Sequence, residues 1–321
     1  ESKINGEIVL PTSGGYDSRI LNYFVKDKKR IQAFTYGISK DQSQSIEVVH
    51  AKKISEIYST KWDQIDLKEY HDYINKWVEV YGFSSHLHGM YHIEFYSKIF
   101  RKNQFFNASF LSGIFGDVWA GSINYENIVN YQDVKNLSYS HGINLELKYL
   151  KKNSKDKLKQ QYFEEHKQHL ESDKIKAIFT IRMKLMLISY LTQIPEYFGM
   201  PVWTPFLNFD IVKRTLNISE ERRKNRIWQR DFFINNNLNL EDMNFKSAKG
   251  NKLDYETAQH AKLEKIDIEL MGEYVDEGRL NEINKMLSSL TPFEKIKNQL
   301  LYVPKIGGVL RRLGFKNAYL K

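Results

Sequence analysis

A glycine-rich stretch near the start of the chain carries residues whose types and spacing suit phosphate chemistry. The stretch reads IVLPTSGGYDSRIL, residues 8–21. Its small and polar residues directly follow an apolar run: Thr12, Ser13, Gly14, Gly15, Asp17 and Ser18. A glycine turn between a strand and a helix gathers backbone N–H groups at the helix N-terminus, which favours an anion and above all a phosphate. Two glycines alone would equally suit a tight turn in which glycine supplies a positive φ angle.

Two common nucleotide-binding patterns are missing from the sequence. It contains neither the lysine-bearing phosphate loop GxxxxGK[ST] nor the dinucleotide fingerprint GxGxxG. This excludes a Walker-type NTPase and a dinucleotide-binding fold. The turn therefore indicates a different kind of phosphate site.

The elements that position this turn follow an alternating order of strands and helices. An apolar strand is expected over 7–12 and a helix over 17–24, then a strand over 31–37, an amphipathic helix over 43–59 and a strand over 62–67. A further strand and a glycine turn are expected within 104–113. Alternation of this kind predicts an α/β fold with a parallel sheet and flanking helices.

The second half of the chain has a different character. Lys- and Glu-rich stretches with helical spacing run over 144–200, 209–236 and 255–289. We expect an α/β core over 1–135 and a mostly helical part over 136–321. Since no Gly/Ser/Pro-rich linker divides them, both should complete one site.

Composition narrows the class of protein. The chain has 321 residues, 41% of them hydrophobic and 27% charged, no cysteine, and a net charge of +9. The absence of cysteine excludes disulfides and thiolate metal sites. No apolar run is long enough to span a bilayer, so we expect a cytoplasmic protein. The positive charge comes mostly from a lysine-rich surface, and we do not expect nucleic acid as a partner.

The full string SGGYDS, residues 13–18, resembles the SGGxDS pyrophosphate loop of the ATP pyrophosphatases (the PP-loop superfamily). These enzymes cleave ATP between the α- and β-phosphates. The resemblance implies ATP and Mg²⁺: Thr12, Ser13, Gly14, Gly15 and Ser18 would bind the phosphates, and Asp17 would bind the metal. Adenine would lie against the second strand, near Phe34, Thr35 and Tyr36.

Three further strings resemble, in order, the synthetase domain of class B asparagine synthetases. In LSGIFGDVWAGS (111–122), Ser112 and Gly113 would line the ribose and Asp117 would be the second metal ligand. VWTPFLNFDIV (202–212) resembles the family's VRVPFLDxxLV and by itself predicts a turn into a helix near Phe209. NFKSAKGNKL (244–253) offers Lys246 and Lys249 as alternatives for the lysine at the α-phosphate.

The match departs from the family in the second loop. The first glutamate of the family falls on Ile114, the second glycine on Phe115, and the second glutamate on Val118. Isoleucine cannot handle protons, so the acceptor half of the site has changed. We expect an ATP-dependent, AMP-forming carbon–nitrogen ligase that acts on a small-molecule or sugar-linked carboxylate such as a uronic acid, in polysaccharide biosynthesis. A tRNA-modifying PP-loop enzyme and an inactive nucleotide-binding protein remain alternatives.

The sequence suggests two kinds of partner, a source of ammonia and a membrane surface. Family members carry a glutaminase domain with an N-terminal cysteine, so we expect ammonia from a domain or subunit absent from this chain. The stretch EERRKNRIWQR (220–230) suits either a phosphate group or a solvated helix face. The tail from Pro292 to Lys321 has seven basic residues and one acidic residue. This tail predicts either a basic helix packed on the core or a segment on an anionic membrane surface.

Overall fold

The structure is a computed structural model, and it describes most of the chain. The described residues are 4, 6–81, 91–105, 107–123, 125–137, 149, 151, 156–183, 193–248, 250–253, 264–288, 292–301 and 306–314. By its internal contacts the chain divides into two compact units. Unit 1 comprises Glu1–Tyr139 and Gln160–Thr257, and unit 2 comprises Ser140–Lys159 and Ala258–Lys321.

Unit 1 contains a parallel sheet of five strands in the order β3-β2-β1-β4-β5. The strands are Ile8–Pro11 (β1), Ile31–Thr35 (β2), Lys61–Gln64 (β3), Ser109–Leu111 (β4) and Val202–Trp203 (β5). In the register of the central pairs, Ile8 lies opposite both Ile31 and Ser109. The predicted α/β fold with a parallel sheet is confirmed.

Helices connect the strands and fill the rest of both units. Those described are Tyr16–Phe24 (α1), Ile46–Tyr58 (α2), Ile74–Tyr81 (α3), Tyr91–Lys102 (α4), Gly116–Ala120 (α5), Asp156–His166 (α6), Asp173–Met183 (α7), Phe209–Leu216 (α8), Glu220–Arg223 (α9), Ile227–Asn235 (α10), Ile268–Met271 (α11), Glu277–Ser288 (α12), Pro292–Leu301 (α13) and Ile306–Arg312 (α14). Of these, none is long and apolar enough to cross a bilayer.

The central strands β1, β2 and β4 are mostly apolar, because the sheet packs against an apolar cluster on each face. Neighbouring side chains along a strand point to opposite faces, and in β1 Ile8 and Leu10 join one apolar cluster while Val9 joins another. In β4, Leu111 and Phe110 divide in the same way. A sheet buried on both faces needs continuous apolar runs, which is what made these strands visible in the sequence.

The fifth strand was not predicted. The sequence predicted only a turn into a helix over 202–212, and α8 does begin at Phe209. Val202 and Trp203 nevertheless pair with Phe110 and Leu111 of β4. A two-residue strand cannot show a period of two, so the pattern gave no signal.

Candidate functional site

The two predicted loops lie at the carboxyl ends of neighbouring strands, β1 and β4. From β1 the chain continues to β2 and β3 on one side, whereas β4 and β5 lie on the other side. The connections that leave β1 and β4 therefore diverge, and such a switch point in a parallel sheet is where ligands usually bind. The structure thus brings the turn at Ser13–Ser18 next to the turn at Ser112–Asp117.

The first turn depends on glycine at two positions. Gly14 has a φ of +73°, and a Cβ there would lie 2.2 Å from Cβ of His50. Gly15 is the N-cap residue of α1 and offers no side-chain acceptor to the first-turn N–H groups. Asn208, by contrast, caps α8 by accepting hydrogen bonds from the N–H groups of Asp210 and Ile211. A helix that begins at glycine leaves its N-terminal N–H groups to another acceptor, which a bound anion can supply.

A buried arginine, which the sequence analysis did not single out, holds this turn in place. Arg19 is 0% exposed, and its guanidinium donates to both carboxylate oxygens of Glu241, at 2.9 Å each. It also donates to the carbonyl oxygens of Gly14 (2.6 Å) and Leu238 (3.0 Å). The ion pair therefore fixes the backbone at Gly14. The sequence does contain a signal for this role, because Arg19 is a charged residue between apolar positions of α1.

The second loop packs directly against Asp17. A Cβ at Gly116 would lie 2.6 Å from Oδ1 of Asp17, and one at Gly113 would lie 3.3 Å from Cβ of Asp17. Phe115 has a φ of +70° although its side chain is buried in the core. A left-handed backbone is unusual for a bulky residue and costs free energy. Small residues at 113 and 116 thus allow the two loops to touch.

The Asp17 carboxylate lies in an unusual electrostatic environment. Its Oδ1 is buried and has no partner of ordinary hydrogen-bond geometry among the described residues, although the Gln229 side chain and the Asp117 N–H lie close enough to the carboxylate to lower its pKa. Its Oδ2 lies 3.7 Å from the guanidinium of Arg226. Burial raises the pKa of Asp17 to about 6; Arg226 opposes this increase, and the negative charge of Asp117 adds to it. A buried carboxylate with one oxygen that lacks an ordinary hydrogen bond suits a cation as ligand.

Asp117 occupies the equivalent place in the second loop, in the first turn of α5. It is half-buried, and its Oδ2 accepts a long hydrogen bond from Ser122 Oγ, at 3.4 Å. Across the described part of the chain, no group of three or more His, Cys, Asp or Glu residues is placed to hold a metal ion. The protein therefore offers two carboxylates, Asp17 and Asp117, at the meeting point of the loops.

The rest of the second loop is tied to the core. The N–H of Ile114 donates to Ser112 Oγ (3.2 Å), and its carbonyl accepts from Thr204 Oγ1 (3.3 Å). The Ile114 side chain packs against the apolar cluster around β1. The position where the resemblance expects a glutamate is therefore part of the packed interior.

Of the residues predicted to contact the nucleotide, Thr12 and Thr35 have hydroxyl groups bonded within the protein. Thr12 Oγ1 donates to the carbonyl of Leu10 (3.2 Å) and accepts from the Asn22 side chain (3.1 Å). Thr35 Oγ1 donates to the carbonyl of Thr12 and accepts from Trp62 Nε1 (3.1 Å). These hydroxyls stabilise the junction between β1 and β2.

Phe34 and Tyr36 lie on the side of β2 that faces the second apolar cluster. Phe34 is buried there, and the Tyr36 hydroxyl is 3.1 Å from Nε2 of His92. Burial raises the pKa of Tyr36 well above its ordinary value, so this phenol stays neutral. At the end of β2, a ligand would therefore meet the backbone rather than these two side chains.

The segment with the candidate lysines contacts α2 and the residues just before it, and α2 in turn packs against the first loop through His50. The N–H of Ala248 donates to the carbonyl of Gln44 (2.6 Å). The ring of Phe245 lies 5.8 Å from the ring of His50, the residue that packs against Gly14. Lys246 follows Phe245 and is exposed. Lys249 lies outside the described residues.

Two residues near Asp17 come from the basic stretch at 220–230. Arg226 has a φ of +57° and begins α10 beside Asp17. Gln229 is 0% exposed and its side chain helps to lower the pKa of Asp17, although neither of its amide atoms has a partner of ordinary hydrogen-bond geometry in the described part of the protein. Arg222, in contrast, is exposed and pairs with Asp231 at 2.6 Å. Within this stretch, Arg226 therefore faces the loops, whereas Arg222 belongs to a solvated helix face.

Comparison of the sequence with models of protein families gives no match, and comparison with curated proteins gives none either. The chemistry and geometry of the two loops are therefore what support a function for this chain.

Proposed function

We propose that this chain is an ATP-dependent ligase that adenylates a carboxylate and forms an amide, in the manner of the asparagine synthetases it resembles. The observation that carries the proposal is the contact between Asp17 and the second loop. Two turns that resemble a single family at separate places in the sequence meet at a switch point of a parallel sheet. There, Gly113 and Gly116 leave room for the Asp17 carboxylate.

The donor atoms present fit Mg²⁺. This ion is usually bound by one or two carboxylates together with substrate phosphates rather than by a cage of protein ligands. Asp17 provides a buried oxygen without a partner of ordinary hydrogen-bond geometry among the described residues, and Asp117 provides a second carboxylate. When bound, Mg²⁺ would neutralise charge on the phosphates and on the departing pyrophosphate.

The protein's own groups would hold the rest of ATP. The uncapped N-terminus of α1 faces the place where the β- and γ-phosphates would lie, and Ser13, Gly14 and Gly15 form the turn around it. Arg226 supplies positive charge beside Asp17. Its guanidinium would bind a phosphate oxygen of ATP in place of the Asp17 carboxylate. Of the two candidate lysines, Lys246 is the one that the structure describes, and it would contact the α-phosphate.

The phenylalanine at position 115 also supports the resemblance. The family has glycine at this position, and a glycine there would suit a positive φ angle. The chain keeps the left-handed backbone, with a φ of +70°, although it has lost the glycine. Preservation of a strained conformation is easier to understand if the loop must keep the shape of a binding site.

The reaction would proceed in two steps. An oxygen of the substrate carboxylate attacks the α-phosphorus of ATP, and the bond to the β-phosphate breaks, so pyrophosphate leaves. The nitrogen of ammonia or an amine then attacks the acyl carbon of the acyl-AMP. The carbon–oxygen bond breaks, AMP leaves, and the nitrogen loses a proton. We propose a small-molecule or sugar-linked carboxylate as substrate, because Ile114 replaces a charged group of the family.

The test is ATP–pyrophosphate exchange with Mg²⁺ and a panel of aspartate, free and nucleotide-linked uronic acids, and tRNA. Exchange that depends on one carboxylate, and that is lost in Asp17→Asn, is the expected result. The exposed Asp242→Asn serves as the control and should keep full activity. Full exchange in Asp17→Asn would exclude this site.

A second candidate function is nucleotide binding without catalysis. It is favoured by the packing of Ile114 against the core, since no carboxylate stands there to assist an incoming amine. In that case Mg²⁺·ATP would bind with a dependence on Asp17, and no carboxylate of the panel would support exchange. Thermal shift with Mg²⁺·ATP, measured beside the exchange assay, distinguishes the two functions.

A further inference from the structure

The last two described helices of unit 2 expose large apolar side chains at regular spacing. On α13 these are Phe293, Ile296 and Leu300, with 72%, 56% and 39% exposure. On and just after α14 they are Ile306, Val309 and Leu313, with 46%, 56% and 68% exposure. Single exposed apolar residues are common on protein surfaces, but six of them at regular spacing on two helices that contact each other are not. We call these six residues the C-terminal apolar surface.

Both helices repeat the same spacing, i, i+3 and i+7. At 100° per residue these positions fall within a narrow arc on one side of a helix. On α13, Leu301 points elsewhere and is buried, with 3% exposure. This helix therefore buries Leu301 and leaves its other large apolar side chains, Phe293, Ile296 and Leu300, exposed.

The charge of the sequence that carries this surface indicates the kind of partner that fits it. Between Pro292 and the end of the chain, one acidic residue, Glu294, accompanies these basic residues: Lys295, Lys297, Lys305, Arg311, Arg312, Lys316 and Lys321. Among the described side chains, Lys297 is half-buried and Arg312 is exposed. A second copy of this chain would bring two basic segments together, which repels. An anionic lipid headgroup layer attracts them and can also bury the apolar stripe.

We propose that the C-terminal apolar surface binds peripherally to an anionic lipid bilayer. The six apolar side chains insert at the level of the headgroups, and Lys297 and Arg312, the basic residues whose side chains are described here, lie against lipid phosphates. A helix that binds through one apolar side lies in the plane of the membrane surface. This inference is independent of the proposed ligase activity, since it depends only on residues of unit 2.

The experiment is flotation of the full chain with vesicles of two compositions. One is phosphatidylcholine mixed with phosphatidylglycerol, and the other is phosphatidylcholine alone. We expect binding to the mixed vesicles, weaker binding to the neutral ones, and a decrease on raising salt from about 0.1 M to about 0.5 M. The variant Phe293→Ser/Val309→Ser should reduce binding by about tenfold or more.

The matched control is Leu270→Ser, on α11 of the same unit. Leu270 is 66% exposed but lies outside the C-terminal apolar surface, so its loss should leave binding unchanged. Lys297→Ser/Arg312→Ser should mainly reduce the preference for anionic vesicles. Circular dichroism checks that each variant is folded, and all substituted apolar residues are already exposed.

Three outcomes would overturn the proposal. The wild-type chain could fail to float with anionic vesicles, or Leu270→Ser could lose as much binding as the double variant. Light scattering after size exclusion could instead show a dimer that Phe293→Ser/Val309→Ser converts to a monomer, which would identify a second copy as the occupant.

Discussion

Replacement of Asp17 by Asn should make the nucleotide-free protein more stable while it removes the proposed activity. The structure gives the reason, because the Asp17 carboxylate has a pKa of about 6 in place of an ordinary value of 3.8. Burial is the main cause, so the folded protein disfavours the charged form. Asparagine has nearly the same shape and carries no charge to bury.

The size of the effect follows from that pKa. A rise from 3.8 to about 6 corresponds to about 3 kcal/mol of unfolding free energy lost at pH 7.5, where the carboxylate is ionised in both states. Because the folded-state pKa is the higher one, the cost disappears as pH falls through 6 towards 3.8. The side chain is 19% exposed, so we expect a gain of about 2–3 kcal/mol at pH 7.5 and of about 0.5 kcal/mol at pH 4.

The assay is urea unfolding of both proteins in Mg²⁺-free buffer at pH 7.5 and at pH 4. Saturating Mg²⁺·ATP, added at pH 7.5 in a parallel series, should stabilise the wild type by about 2.7 kcal/mol at a hundredfold excess over Kd. It should not stabilise Asp17→Asn. An Asn variant that is less stable than the wild type at pH 7.5, or a difference that does not change with pH, would refute the electrostatic reasoning.

Three other sets of substitutions test the geometry around the loops. Gly116→Ala should weaken Mg²⁺·ATP binding at least about tenfold, because the new Cβ would lie 2.6 Å from the Asp17 carboxylate; Gly308→Ala, which meets no atom within 4 Å, should instead stabilise its helix by about 0.5–1 kcal/mol. Equal ATP affinity in Gly116→Ala and wild type, measured by calorimetry, would contradict the contact. Arg19→Met should cost about 3–5 kcal/mol in urea unfolding, since it leaves the Gly14 turn without its donor. Glu241→Gln should cost less because the Glu241 side chain is 42% exposed; the reverse order would be inconsistent with the burial. Hydrogen bonds from Arg19 lower the pKa of Glu241 in spite of its burial, so the contribution of this carboxylate is present above its ordinary pKa of 4.5 and is lost as pH falls below that value. Phe115→Gly should relieve about 1 kcal/mol of backbone strain but lose about 3–5 kcal/mol of ring burial; a net gain in stability would show that the backbone strain outweighs the burial of the ring.

The sequence predicted much of the sheet because the residues that build it are local and apolar. In β1, three consecutive apolar residues precede a glycine turn, and an alternation of strands and helices follows. The same locality made both loops visible, since each is a short run of serine, glycine and aspartate after a strand. β5 was not predicted because a strand of two residues, shortly before Pro205, is too short to show an alternating pattern.

The rest of the site depends on contacts that no local pattern encodes. Arg19 and Glu241 are 222 positions apart in the chain, and Asp17 meets Arg226 only because α10 packs beside the loops. A basic stretch can be recognised in a sequence, but which of its arginines faces a carboxylate is decided by tertiary packing. Arg222 and Arg226 belong to the same basic stretch, four positions apart, and have different roles in space.

The long separation between Arg19 and Glu241 has a consequence for the synthesis of the protein. β1 leaves the ribosome before the other strands of the sheet, yet its neighbour β4 begins at Ser109, and β4 gains β5 only at Val202. Glu241, which fixes Gly14 through Arg19, is translated later still. The central strand and its turn therefore wait for most of the chain, and contacts of such high sequence separation form slowly. Until β4 is translated, the edge of β1 that pairs with it is open to wrong partners. A nascent chain that stops before Glu241 lacks the ion pair that fixes Gly14, and it should not retain nucleotide.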